Sequence, residues 1–116
     1  MHGQRGREYG FSAVYGLHHV EARGVGVWLI SSASKQLGGY GIRVNSVSPG
    51  AVATPMLCEQ MGMEAEEVER TFQSSYYLNG VLKVKHVANA VVFLASGESD
   101  FITGHNLVLD GAYKQL

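Results

Sequence analysis

The residues best placed to do chemistry lie around a proline–glycine pair. The run Ile42-Arg43-Val44-Asn45-Ser46-Val47 alternates β-branched with polar residues and ends at Ser48-Pro49-Gly50. There proline removes a ladder donor and glycine frees the backbone, which predicts a strand feeding a loop. If the sheet is parallel, such a loop presents backbone N–H and C=O groups at its carboxyl edge, where open α/β folds bind ligands. Four residues on, Thr54 precedes Pro55, the pairing expected of a helix N-cap and its first turn.

The other reactive side chains read more plainly. Lys35, in Ser32-Ala33-Ser34-Lys35, has Ser31 four positions before it and is expected to be a solvent-facing helix lysine. His18 and His19 are adjacent, so they point apart on a helix or strand, and no carboxylate or thiolate is spaced to join them. No metal site is expected. The lone Cys58 beside Met56 and Leu57 reads as a half-buried small hydrophobe. Asn45 reads as a short polar residue bonding to nearby backbone.

Several elements must position the loop. Residues 1–30 are glycine-dense, with no sustained period of two or 3.6, and predict no stable element. A helix is expected over residues 29–37, with Ala33, Leu37 and Tyr40 on one stripe and Gly38-Gly39 as its stop. Residues 55–63 suit a short helix. Residues 64–74 suit another, with Ala65, Val68 and Phe72 on its apolar stripe and Glu64, Glu66, Glu67 and Glu69 in water. Residues 85–96 carry apolar side chains around much of the circumference, as on a helix packed against a sheet, and Gly97 stops it. The run 106–109, closed by Asp110-Gly111, predicts a short buried strand.

Composition excludes whole classes of function. Nine Lys/Arg balance ten Asp/Glu over 116 residues, so the chain offers no surplus positive charge to a phosphate backbone, and no nucleic-acid partner is expected. No stretch approaches the ~18 consecutive apolar residues of a membrane span. With a polar start and one cysteine, the expectation is a cytoplasmic protein that contacts no membrane. At 46% hydrophobic and 16% charged, the chain has globular composition and length for one domain.

From Ser32 onward, "SASKQLGGYGIRVNSVSPGAVATPM" and "VANAVVFLASGESDFITGHNLVLDGAY" resemble the C-terminal part of short-chain dehydrogenases/reductases. The likeness is greatest to the plant group that oxidises secondary alcohols of terpenoids and lignans, of the secoisolariciresinol dehydrogenase and momilactone A synthase kind. The pieces G-I-R-V-N-x-V-x-P-G, V-x-T, F-L-A-S and I-T-G-x-N-x-x-x-D-G occur in the family's order and spacing. The resemblance implies an α/β fold, the C-terminal part of a doubly wound, Rossmann-like parallel sheet. It also implies NAD or NADP as cofactor and a small-molecule alcohol or ketone as substrate. Pro49, Gly50, Val52 and Thr54 become the cofactor-binding candidates, since in the family this loop lies along the nicotinamide, the backbone near Val52 and the hydroxyl at Thr54 meeting its carboxamide. Met56, Met61, Met63, Phe72, Tyr76 and Tyr77 fall in the family's variable substrate lid and suit an apolar substrate. Residues 85–113 match the family's subunit interface, implying a homo- or hetero-oligomer.

The resemblance also marks what this sequence lacks. The family binds dinucleotide through T-G-x-x-x-G-x-G, and Gly3, Gly6 and Gly10 have neither that spacing nor a preceding apolar strand. The family's general acid/base is a tyrosine in Y-x-x-x-K, and no tyrosine here has a lysine four positions later. No catalytic residue is therefore assigned. Back-translated with free synonymous choice and read one base later, Gly16 through Val27 can encode A-Y-T-T-S-K-H-A-V-L-G, the family's catalytic segment. The expectation is an irregular, non-family segment over residues 1–31, frameshifted or taken from a misassigned exon boundary, followed by the C-terminal part of the dehydrogenase domain over 32–116. Such a chain is expected to be inactive alone.

Overall fold

The computed structural model describes residues 11–16, 20–112 and 114, with side chains described from residue 26 onward. Its centre is a three-stranded parallel sheet ordered β1-β2-β3, with β1 at Phe11–Gly16, β2 at Ile42–Pro49 and β3 at Asn106–Leu109. Phe11 pairs with Ile42 through to Gly16 with Val47, and Ser46 pairs with Asn106 through to Pro49 with Leu109. Parallel neighbours need a crossover. Helix α1 (Val20–Leu37) joins β1 to β2, while α2 (Pro55–Met61), α3 (Ala65–Gln73) and α4 (Val84–Ala95) lie between β2 and β3.

Strand β2 holds the core, buried without a break from Val44 to Pro49. Burial at successive residues means that both faces are covered, the condition of a central strand in an α/β sheet. The polar half of its alternation does not face water; it is satisfied inside. Asn45 is fully buried; its Nδ2 donates to Ile102 O at 3.0 Å and its Oδ1 accepts from His105 N at 3.0 Å. The hydroxyls of Ser46 and Ser48 both donate to Asn106 Oδ1, at 2.9 and 2.7 Å. Thr103 Oγ1 accepts from Val44 N at 3.0 Å, and Gly104 N donates to Val44 O at 2.7 Å. Leaving one such group unpaired costs about 1–3 kcal/mol, so these residues tie residues 102–106 to the strand in one register.

Arg43 explains another part of the same motif. Its guanidinium donates to Ser96 O, Ile102 O and Ser99 Oγ at 3.0–3.1 Å, reaching the carbonyl end of α4 and the turn after it. A cation there satisfies acceptors that a helix terminus leaves open.

The N-terminal part differs from the sequence expectation. Residues 11–16 form a strand, and α1 begins at Val20 rather than near residue 29. Gly24 and Gly26 lower helix propensity enough to hide the start of α1 in the sequence, and β1 is a strand through its pairing with β2 rather than through any alternation of its own. Among its described side chains the buried positions of α1 are Ile30 and Ser34, whereas Tyr40, expected on the stripe, is 80% exposed in a 3-10 turn. Lys35 is exposed, as expected. Ser34 packs beside Gly104, which has φ +71° and where an added Cβ would lie 2.6 Å from Ser34 Oγ. The glycine of I-T-G is thus the position that lets α1 close on the sheet.

Helix α4 packs against all three strands, yet only Leu94 is fully buried, and Val92 and Phe93 are exposed. Strand β3 is likewise not the buried strand expected from its apolar run. It is the edge of the described sheet, with Val108 48% exposed. The acidic face of α3 is in water apart from the half-buried Glu69, and Val68 is its buried residue, with Phe72 half-buried and Ala65 exposed. Among the described residues no helix is long and apolar enough to cross a membrane.

Candidate functional site

At the carboxyl edge the chain leaves β2 through residues 50–54, a half-buried loop next to the end of β3. Gly50 N donates to Leu109 O at 2.9 Å, extending the β2–β3 seam by one bond. The loop then turns tightly: Thr54 N donates to Val52 O at 2.7 Å. Thr54 is extended (φ −84°, ψ 159°) and caps α2, its Oγ1 accepting from Leu57 N at 3.3 Å while Cys58 N bonds to its carbonyl. Pro55 fills the first turn, where a missing N–H costs nothing. A capping hydroxyl used as an acceptor keeps its own proton for donation. The N–H groups of Val52 and Ala53 bond to no acceptor among the described residues. Pro49, Gly50, Val52 and Thr54 therefore lie in one continuous rim, and the rim holds two open backbone donors and one hydroxyl.

Tyr76 supports this rim from behind. It is 6% exposed, its hydroxyl accepts from Ala51 N at 3.1 Å, and it donates to Ala51 O at 3.4 Å. Its ring fills the space beside Gly50, where an added Cβ would meet the hydroxyl at 3.0 Å, and beside Gly111, where it would meet Tyr76 Cβ at 3.2 Å. The flanking chain is pinned to the residues after β3: Tyr77 N and Leu78 N donate to Gly111 O at 3.1 and 3.0 Å, and Lys114 N to Ser75 O at 2.7 Å. The sequence placed Tyr76 among apolar, substrate-facing lid residues; its hydroxyl instead points into the backbone of the loop. No local pattern in the sequence signals this contact, because its partners lie twenty-five residues apart. Tyr77, Met56 and Leu78 are the exposed apolar residues of the same region.

A cleft of about 460 Å³ opens beyond Tyr76, between the end of β3 and residues 78–82, with Val108, Val81, Leu82 and His86 among its walls. It lies on the β3 side and reaches the rim only through Tyr76. Cys58 is half-buried, as expected. His18 and His19 fall outside the described residues. Among the described residues, no group of three His, Cys, Asp or Glu side chains is gathered to hold a metal ion.

A parallel sheet flanked by helices, with its loops converging at the carboxyl edge, is a Rossmann-like α/β arrangement. A putative short-chain dehydrogenase/reductase from Burkholderia xenovorans has the same course over 94% of this chain and 46% of its own, with TM-score 0.76 and 26% identity. The family model described as Enoyl-(Acyl carrier protein) reductase matches residues 18–114. Short-chain dehydrogenase reductase 3b of Arabidopsis thaliana is 54% identical over 86 residues, 73% of this chain. The (−)-isopiperitenol/(−)-carveol dehydrogenase of Mentha piperita, a mitochondrial protein, is 49% identical over 89 residues, 76% of this chain. The chain belongs to the short-chain dehydrogenase/reductase family. It spans 34% of the length of each of these two relatives.

Proposed function

We propose that residues 49–54 are the wall against which the nicotinamide of NAD or NADP rests, in a protein whose family chemistry is hydride transfer between that ring and a secondary alcohol or ketone. The observation that carries this reading is the pair of open donors at Val52 and Ala53 beside the Thr54 hydroxyl, in a half-buried rim at the carboxyl edge. A carboxamide offers one acceptor oxygen and two N–H donors, and this rim supplies the two amides and the Thr54 hydroxyl as donors for the first and the second lone pair of the Val52 carbonyl as acceptor for the second. When bound, the nicotinamide gives or takes the hydride. The residues of the rim fix which ring face is presented, an orientation effect rather than a proton transfer. Pro49 and Gly50 set the path of the loop. The exposed Met56 and Tyr77 beside it suit an apolar, terpenoid-like substrate.

The 116-residue chain is inactive by itself in this reading, because its sequence holds neither a glycine-rich phosphate cradle nor a tyrosine with a lysine four positions on. Titration of the isotope-labelled chain with NADH tests the wall directly. Amide resonances of residues 50–54 should shift at millimolar NADH, while micromolar NADH should raise the melting temperature by less than about 1 °C. Unmoved resonances at Val52 and Ala53 would remove the wall, and turnover of a secondary alcohol by the purified chain would overturn its inactivity. Sequencing the transcript across the codons for residues 16–31 tests the frameshift: codons incompatible with the shifted text would end it.

A second reading rests on residues 85–113, which carry the exposed Val92, Phe93, Phe101 and Val108. These suit docking onto a full-length relative, in the cytoplasm, as a modulating fragment. Co-expression with an intact homologue should then give mixed oligomers on size exclusion, and separate peaks would exclude it.

A further inference from the structure

We propose that Tyr76 is a positioning residue for the nicotinamide-facing rim, coupling the segment after α3 to the loop after β2; the proposal rests on the reading of residues 49–54 given above. The geometry is specific. One buried hydroxyl engages both hydrogen-bonding groups of Ala51, accepting from its N–H at 3.1 Å and donating to its carbonyl at 3.4 Å. With Ala51 held in this way, the next two amides, Val52 and Ala53, are left without acceptors among the described residues at the open side of the rim. A loop whose first peptide is anchored presents its following donors in one orientation, which lowers the entropy that a ligand must remove on binding. Gly50 and Gly111 both abut the ring, so the side chain is wedged between the ends of β2 and β3 and cannot swing without moving one of them. Backbone bonds from residues 77 and 78 to Gly111 hold the flanking chain in place. Any displacement of the lid segment is thereby transmitted to Ala51.

The test uses the full chain and two variants. Tyr76→Phe keeps the ring and removes the hydroxyl; Gly50→Ala keeps the hydroxyl and displaces it with a Cβ. Amide hydrogen exchange at Ala51 should speed up about tenfold in both, the size one net hydrogen bond supports. The Ser46 amide, bonded to His105 O at 2.9 Å in the seam, should change by less than about twofold. NADH-induced shifts at Val52 and Ala53 should shrink in both variants at equal cofactor concentration, a readout that a purely structural role for the ring would not move. Unchanged exchange at Ala51, or undiminished shifts in Tyr76→Phe, overturns the proposal. Wild-type resonances that ignore NADH while Ala51 still responds to Tyr76→Phe would sink instead the nicotinamide reading beneath it.

Discussion

The seam between β2 and β3 and the rim that follows it are built from the same few residue types and treat them in opposite ways. In the seam, Asn45, Ser46, Ser48, Thr103 and Asn106 spend their hydrogen-bonding capacity on one another or on nearby backbone, under nearly complete burial of β2. A few residues later, Val52 and Ala53 have N–H groups with no acceptor among the described residues, in a half-exposed loop, and Thr54 commits its oxygen as an acceptor but not its proton. Buried polar groups must be satisfied internally because desolvation is costly, whereas groups at a sheet edge can be held ready for a ligand at the smaller cost of partial exposure. Polar residue type alone therefore does not separate scaffold from site. The number of partners each group already has does.

The contrast is broken most severely at Asn45. Asn45→Leu leaves His105 N without its partner and Ile102 O with Arg43 alone, and the expected loss is about 2 kcal/mol, read as a lower urea midpoint. A midpoint within error of wild type would mean that the seam is not where stability resides. Gly104→Ala probes the seam from the helix side. Its Cβ would crowd Ser34 Oγ at 2.6 Å and Ser34 Cβ at 3.3 Å from a left-handed backbone, for an expected loss of about 2 kcal/mol that Gly104→Asn should partly spare in φ but not in contact. The smallest effect lies away from both regions. Lys83 pairs with Glu69 at 2.7 Å with half its side chain in water, so Lys83→Ala should cost less than about 0.5 kcal/mol, and less still in high salt. A large loss there would show that the position of α3 depends on a surface ion pair.

Several features were legible before any coordinates. The strand after Gly41, the helices over residues 55–61, 65–73 and 84–95 and the cap at Thr54 each follow from local rules of alternation and capping, whereas Asn45, expected to bond to nearby backbone, bonds instead to Ile102 and His105 far along the chain. The motif run G-I-R-V-N-x-V-x-P-G carried family membership as well, and each of its residues has a structural use here: Arg43 at the end of α4, Asn45 on Ile102 and His105, Gly50 against Tyr76. What local rules missed are the elements whose stability comes from elsewhere. Strand β1 and the first turns of α1 carry glycines and no clean period; β1 forms by pairing with β2, and α1 as a whole packs on β2.

The sequence by itself determined which segments are helix and strand after residue 31, which family they belong to, and which loop faces the carboxyl edge. Those properties are written in neighbours three or four residues apart. Only the tertiary structure decided that β2 is buried on both faces, that β3 is the edge of the described sheet, and that the hydroxyl of Tyr76 meets Ala51 twenty-five residues earlier. Burial and long-range hydrogen bonds depend on how crossovers bring distant segments together, and no local period encodes that.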